Sequence, residues 1–385
     1  MNIVRLNTTA DGFIKVGNGG GNTPGGGGGD TPSRPSWTGH ADAEGLKAIG
    51  WTDEDIAYYQ EHGVNWNAED DEYHKVSDDN KALYGVLTAD NIQTYKDRIV
   101  YLPKIDTSGV TDMSNMFNSC YALVSIPQLD TAKVTSMKSM FYYCRSLVSI
   151  PQLDTANVTI MGSMFYGCSS LVSIPQLDTA KVTDMSNMFY GCYALVSIPQ
   201  LDTAKVTSMG SMFYYCSSLV SIPQLDTAKV TDMSYMFNSC YALVSIPQLD
   251  TAKVTSMGSM FYGCSSLVSI PQLDTAKVTS MGSMFYGCLS LVSIPQLDTA
   301  NVTSMNNMFS YCRSLTHAYL KNAKLACQLN NSALLSKESL LYLINNEAAT
   351  LAITIKLESY AYTRLANDAD VVAALAAHPN ISISQ

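Results

Sequence analysis

A unit of 24 residues recurs along most of this chain, and a repeat that short dictates the class of fold. From Asp106 the chain reads DTSGVTDMSNMFNSCYALVSIPQL, and from Asp130 it reads DTAKVTSMKSMFYYCRSLVSIPQL. Nine such units run in register to Lys321 and take up 216 of the 385 residues. In the second unit the recurring apolar positions are Val134, Met137, Met140, Phe141, Cys144, Leu147, Ile150 and Leu153. Burying eight side chains does not offset the cost of ordering 24 residues, so no unit folds alone. Stacked in register, the units share one core and gain main-chain bonds to their neighbours, which makes the array a solenoid.

Within the unit, Leu147-Val148-Ser149-Ile150 reads as a short strand that Pro151 ends, because a ladder flanked on both sides cannot use a residue without an N–H. Thr135 is placed to cap a helical turn over 136–141, with Met137, Met140 and Phe141 on one face. Each coil is then strand, turn, helical segment and return. At ~4.8 Å per strand, nine coils make a rod roughly 43 Å long.

The pattern L-x-S-I-P…D-T-x-x-V-T-x-M-x-x-M-F-x-x-C, repeated across about residues 105–321, resembles the BspA-like leucine-rich repeats of bacterial surface proteins. That resemblance implies an α/β leucine-rich-repeat solenoid: nine coils with a parallel sheet, a helical N-terminal cap and an α/β C-terminal cap. It also implies adhesion, the binding of host or cell-surface molecules, and a bacterial surface or extracellular location. The first residues, Met1 to Thr8, show none of the apolar core of an export signal, and no Cys precedes Cys120 to carry a lipid. The order of a short arm, a Gly-rich hinge and these repeats is similar to tail-fibre or receptor-binding proteins of gut-bacterial phages. That likeness implies a virion protein made in the host cytoplasm.

The flanks divide by composition. Residues 1–16 read as a docking arm of two short strands, Ile3–Leu6 and Phe13–Val16, around Asp11-Gly12, expected to hold other virion proteins. Residues 17–36 form a linker, with nine Gly in 17–29. Residues 37–104 read as a helical cap with a helix opened by Thr52, another from Thr88 towards Arg98, and Tyr101-Leu102-Pro103 as a docking strand. Residues 322–385 read as an α/β cap with helices over 340–344 and 361–377 and strands over 353–357 and 381–384.

Of the net charge of −10, residues 36–100 carry −9, from 14 acidic and 5 basic side chains. An acidic chain is not expected to bind nucleic acid through overall charge. No apolar run approaches 18 residues, so no membrane insertion by a spanning helix is expected. Homo-oligomerisation stays open, with no heptad or trimerising segment visible.

Chemistry is sparse. Nine Cys recur at 24-residue steps from Cys120 to Cys312; stacking puts their Cβ atoms ~4.8 Å apart, wider than the ~3.8 Å of a relaxed disulfide, so they read as buried thiols. The Asp column from Asp106 to Asp298 reads as turn residues accepting main-chain N–H, countered by Lys at 133, 181, 205, 229, 253 and 277. His40, His62 and His74 beside Glu69-Asp70-Asp71-Glu72 lack ligand spacing, and the repeats hold no His before His317. No catalytic residue, metal or cofactor is expected.

What varies between units is the surface around each Cys, and it varies among Tyr, Ser, Gly, Asn and Arg. These are the adaptable residues of recognition surfaces. The candidate ligand-binding strip is Tyr121, Tyr142, Tyr143, Arg145, Tyr166, Tyr190, Tyr193, Tyr214, Tyr215, Tyr241, Tyr311 and Arg313. The expected function is a non-enzymatic binding rod that presents this strip to a bacterial cell-surface polysaccharide or protein.

Overall fold

The computed structural model describes residues 6–8, 14–16, 64–67, 72–75, 92–96, 99, 107–325, 328–329, 331–345 and 353–385. Contacts divide the chain into two units, Met1–Leu87 with Leu102–Lys104, and Thr88–Tyr101 with Ile105–Gln385. In the first unit, β1 (Leu6–Thr8) pairs antiparallel with β2 (Ile14–Val16), Leu6 opposite Val16, and residues 3–5 of the expected first strand lie outside the described residues. A second hairpin pairs β3 (Val64–Asn67) with β4 (Glu72–Lys75) inside the segment expected to be helical. The alternation Val-Asn-Trp-Asn against Glu-Tyr-His-Lys has the two-residue period of a strand, which overrides the helical reading there. The helix expected from Thr52 and the docking strand 101–103 lie outside the described residues. The helix expected from Thr88 is a single 3-10 turn, Ile92–Tyr95.

The second unit is built by stacking. Val134, Met137, Met140, Phe141, Cys144 and Leu147 are fully buried, as are their equivalents in the third to eighth coils. The Phe rings from Phe117 to Phe309 form one continuous stack, with centroids 5.4–5.7 Å apart and planes within 8°. This is an offset stack running the length of the array.

The expected helical segment is absent, and a row of turns takes its place. In the second coil the N–H groups of Met140, Tyr142 and Cys144 donate back three residues, to Met137, Ser139 and Phe141. The intervening N–H groups of Met137, Ser139, Phe141 and Tyr143 donate to the next coil, at Ile160, Gly162, Met164 and Tyr166, over 2.6–3.0 Å. Ser139 and Tyr143 take left-handed φ values of 55° and 59°, and the same pair of positions does so in every coil from Asn115 to Tyr311. Two left-handed residues four apart rule out a helix. They also turn alternate N–H groups along the stack, where a helix would have used them internally. Thr135 correspondingly does not cap; its N–H and Oγ1 both donate to the Thr111 carbonyl.

The parallel ladder runs mainly elsewhere on the coil. One series of isolated parallel bridges joins Asp112, Ser136, Ile160, Asp184, Ser208, Asp232, Ser256, Ser280 and Ser304 beside the turns, and a shorter one joins Ser269, Ser293 and His317 within the expected Leu-Val-Ser-Ile strand. On the Leu-Val-Ser-Ile side, Val148 N–H reaches the Val124 carbonyl at 3.3 Å, and two-residue strands, β5 (Leu297–Asp298) and β6 (Leu320–Lys321), pair at the last coil. Pro151 supplies no donor to this side, and a Gln column substitutes. The Nε2 of Gln176 donates to the Gln200 carbonyl at 2.6 Å, and its equivalents repeat the bond.

Both ends of the stack are closed by side chains. Gln93 Nε2 donates to the carbonyls of Asn115, Met116 and Asn118 in the first coil at 2.9–3.2 Å. At the other end Tyr311 N–H finds Asn331 Oδ1 at 3.2 Å instead of a further coil. Beyond it lie α1 (Lys337–Ile344), α2 (Ser359–Leu365) and α3 (Ala369–Ala377), with a parallel sheet in the order β7 (Gln328–Leu329), β8 (Ile353–Leu357), β9 (Ile381–Ser384). The single helix expected over 361–377 is two helices, because Asp368 caps α3 by accepting from the N–H groups of Asp370 and Val371. Lys337 of α1 pairs with Asp368 at 3.3 Å and Asp370 at 2.8 Å.

Phe213→Ala opens a cavity in the middle of the ring stack and is expected to cost ~3–5 kcal/mol. Gln93→Ala, which removes one exposed bridging side chain, is expected to cost ~1 kcal/mol. Urea midpoints measure both. Equal effects would contradict a spine that bears most of the stability.

Candidate functional site

The variable residues fall into three columns around the buried Cys. The first, two residues before Cys, holds Tyr142, Tyr166, Tyr190 and Tyr214, then Asn238, then Tyr262 and Tyr286. Their rings stack on one another: Tyr142 on Tyr166 at 4.5 Å, Tyr166 on Tyr190 at 4.2 Å, Tyr190 on Tyr214 at 4.6 Å, and Tyr262 on Tyr286 at 4.6 Å, all within 16° of parallel. All six are half-buried. The first column therefore lids the edge of the core. Burial raises the Tyr142, Tyr166 and Tyr286 hydroxyls above the ordinary tyrosine range and pushes Tyr214 up to about 12, with neighbouring hydroxyls adding to the effect. These four hydroxyls stay uncharged at neutral pH.

The second column, directly before Cys, is the second left-handed position. It holds Ser119, Tyr143, Gly167, Gly191, Tyr215, Ser239, Gly263, Gly287 and Tyr311. Tyr143 and Tyr215 stand across the first column, at 76° to Tyr142 and 79° to Tyr214. The third column, directly after Cys, is the most exposed: Tyr121, Tyr193 and Tyr241 keep 43–50% of their surface, and Arg145 and Arg313 are exposed too. The Arg145 guanidinium lies 5.0 Å from the Tyr121 ring centre and 5.4 Å from that of Tyr143, a cation–π arrangement.

The structure thus brings Tyr142, Tyr143, Tyr166, Tyr190, Tyr193, Tyr214 and Tyr215 into one connected cluster of rings. Tyr121 joins it through Arg145. Tyr241 stands apart from those rings in the sixth coil, while Tyr311 meets Tyr286 edge-on at 5.1 Å. Three aromatic residues of the same surface are absent from the list drawn from sequence. Tyr262 and Tyr286 continue the first column, and Tyr235 tilts against Tyr214 at 6.0 Å where Asn238 interrupts it. The 24-residue register of Tyr262 and Tyr286 with Tyr166 and Tyr190 was the available signal; Tyr235 sits three positions earlier in the unit and had none. A ridge of exposed valines, Val172, Val196, Val220, Val244, Val268 and Val292, runs beside the third column and adds uncharged surface.

The other columns are structural. Each Cys from Cys144 to Cys312 donates its Sγ–H to the carbonyl of the Phe in the preceding coil at 3.0–3.1 Å. Burial raises these thiols far above their ordinary range, and Cys312 up to about 12. Asp130 to Asp298 accept the N–H two residues on, as turn residues do. Two of the Lys expected as countercharge bond elsewhere: Lys133 donates to the Ser108 carbonyl and Lys181 to the Asn157 side chain. A shallow groove at Gln176–Thr179 and Gln200–Asp202 belongs to this Asp and Gln corner, and its polar groups already bond the main chain. Among the described residues no group of His, Cys, Asp or Glu is placed to hold a metal ion. No helix among them is long and apolar enough to cross a membrane.

The family model described as "Mycoplasma protein of unknown function, DUF285" matches residues 89–197, 171–269, 193–293 and 241–332, together well over half of the chain. The chain belongs to this family. No curated protein matches it. Among solved structures it is similar to a leucine-rich repeat protein of Treponema pallidum, at 22% identity over 50% of this chain and 76% of that one, TM-score 0.31. It is similar also to a leucine-rich repeat protein of Eubacterium ventriosum, at 18% identity over 69% and 84%, TM-score 0.38. An internalin of Listeria monocytogenes is similar at 12% identity over 74% and 75%, TM-score 0.28. The solenoid itself rests on the coil-to-coil bonds of this chain.

The thiol column makes a pH prediction. From Cys144 to Cys312 each thiol's folded-state pKa lies above the ~8.5 of an unfolded Cys, so the folded chain holds protons that the unfolded chain releases. This contribution is intact below pH ~8.5. Above it, stability falls by up to ~1.4 kcal/mol per pH unit per thiol. The urea midpoint in reductant should drop steeply between pH ~8.5 and ~10.5, with the nine column thiols unreactive to iodoacetamide at pH ~7.5. A flat midpoint, or rapid native alkylation of these nine, would overturn their assignment to the core.

Proposed function

We propose that this DUF285-family chain is a non-enzymatic recognition rod of a bacterial surface or secreted protein, and that its Tyr-bearing side binds an extended, uncharged polysaccharide. The observation that carries this reading is the division of labour within the repeat. The core positions are held nearly constant, while the three surface columns vary among Tyr, Ser, Gly, Asn and Arg and keep large aromatic rings in solvent. An aromatic surface of this extent, with no carboxylate in its columns and only Arg145 and Arg313 charged, suits a neutral ligand more than a cationic one. The bacterial setting is supported by the mycoplasma named in the family's description.

A virion role is the second reading. It is favoured by the β1–β2 hairpin that precedes nine Gly in 17–29, the order of a docking arm and hinge in a tail-fibre or receptor-binding protein. Residues 1–16 would then hold another virion protein. Mass spectrometry of envelope, medium and purified phage particles from one source culture separates the two, since stoichiometric recovery in particles alone would replace the first reading with the second.

The paired change Tyr193→Ser and Tyr241→Ser is expected to weaken binding to source-cell polysaccharide about tenfold or more. Both rings are half exposed, so the melting temperature should move by no more than a few degrees. Unchanged binding by the folded variant would show that this side is not the recognition surface.

A further inference from the structure

The second column carries more information than its composition. All nine of its residues adopt φ between 59° and 72°, and five of them are Ser or Tyr. The backbone therefore does not demand Gly there, and the four Gly need another reason. Gly167 has one: an added Cβ would come within 2.3 Å of the Tyr143 ring, which leans over it. At Gly191 and Gly287 an added Cβ would meet only the backbone of the preceding Gly, at 3.6 Å, and at Gly263 the nearest atom is Tyr241 Cε1 at 3.5 Å. At these three positions a Cβ would sit at ordinary van der Waals distance, so crowding does not exclude a side chain and the room for one is left unused.

That space is framed by rings in the same way twice. Gly167 and Gly191 lie beside the stacked pair Tyr166 and Tyr190, with Tyr193 on the third column and Tyr215 set across Tyr190 at 79°. Moved on by 96 residues, Gly263 and Gly287 lie beside the stacked pair Tyr262 and Tyr286, with Leu289 on the third column and Tyr311 set across Tyr286 at 64°. The stacked pairs are 4.2 Å and 4.6 Å apart. The two notches are four coils apart, about 19 Å on a ~4.8 Å strand step.

We propose that these notches are two equivalent subsites for a neutral glycan, each seating a sugar ring on its Gly floor against the crosswise Tyr. The proposal rests on the polysaccharide reading above and gives it a location and a spacing. The Gly, Tyr and Leu residues that frame the notches are uncharged, which favours a neutral ligand; Arg145 lies 5.4 Å from the Tyr143 ring that leans over Gly167, and Arg313 follows Tyr311 by two residues. A peptide added as a strand is disfavoured because the floor's N–H groups are already used: Gly167, Gly191, Gly263 and Gly287 donate to Tyr190, Tyr214, Tyr286 and Ser310. A sugar ring instead offers C–H faces to an aromatic ring and hydroxyls to the Tyr and Ser hydroxyls that edge the notch. Two similar notches at a fixed spacing, differing in Tyr193 against Leu289, fit a polymer of identical units, and engaging both raises affinity by effective concentration alone.

The column itself provides the test. Because Tyr143, Tyr215 and Tyr311 occupy this left-handed position, Gly191→Tyr and Gly287→Tyr fill the notches without demanding a new backbone conformation. The full chain is titrated with neutral gluco-, galacto- and manno-oligosaccharides, from di- to octasaccharide, with an anionic polysaccharide alongside. The wild type is expected to bind a neutral series more tightly as the chain becomes long enough to reach both notches. Either single variant should lose that length dependence, and the double variant should lose about tenfold or more in affinity with an unchanged melting temperature. Insertion of one further 24-residue unit after Leu225 leaves both notches whole and should weaken only the long oligosaccharides. If the folded double variant binds a neutral glycan like the wild type, the notches are overturned as the site while the rod's glycan binding stands. If the wild type binds none of the neutral series, both this proposal and the reading it rests on fail.

Discussion

The hydrogen bond from one coil's turn segment to the next coil is the interaction on which everything else in the array depends. A 24-residue unit cannot bury enough of itself to be ordered alone. Its order comes from neighbours, through the N–H groups of Met137, Ser139, Phe141 and Tyr143 and their equivalents, which reach across to the following coil. Those bonds fix the register, and the register places Phe on Phe, Cys on Cys and Tyr on Tyr. The uniform core, the buried thiols and the surface columns are all consequences of that alignment.

Much of this was legible in the sequence, because period and burial are properties of composition along the chain. The eight apolar anchors, the thiol column and the Asp turns could all be read from 24-residue spacing. The path of the chain between anchors could not. Met137, Met140 and Phe141 have the spacing of a helix face, and the same spacing is satisfied by turns that reverse through two left-handed residues. The signal for turns was present in the Asn, Ser and Gly that alternate at those positions, residues that tolerate a left-handed backbone better than most. Tyr143 and Tyr215 share the position, and that obscured it.

The surface was legible in content but not in arrangement. The varied residues around each Cys could be named, yet their roles separate only once the columns are seen side by side. Tyr142 and Tyr166 lid the core edge, Tyr193 and Tyr241 face solvent, and Gly191 and Gly287 leave gaps. One-residue offsets decide between these outcomes, because a residue before the Cys, two before it or one after it falls on a different column. The array thus separates two demands. Its core repeats almost without change, and its recognition surface is written in the few positions that stacking leaves free.

The central claim is most directly tested by scalar couplings across hydrogen bonds, measured by NMR on the deuterated chain at the coil that Ile160 makes unique in sequence. The account predicts a coupling from the Phe165 amide nitrogen to the Met188 carbonyl carbon, one coil on. A coupling from Phe165 to the Met161 carbonyl instead would mean a helix in place of the turn segment, and would contradict it.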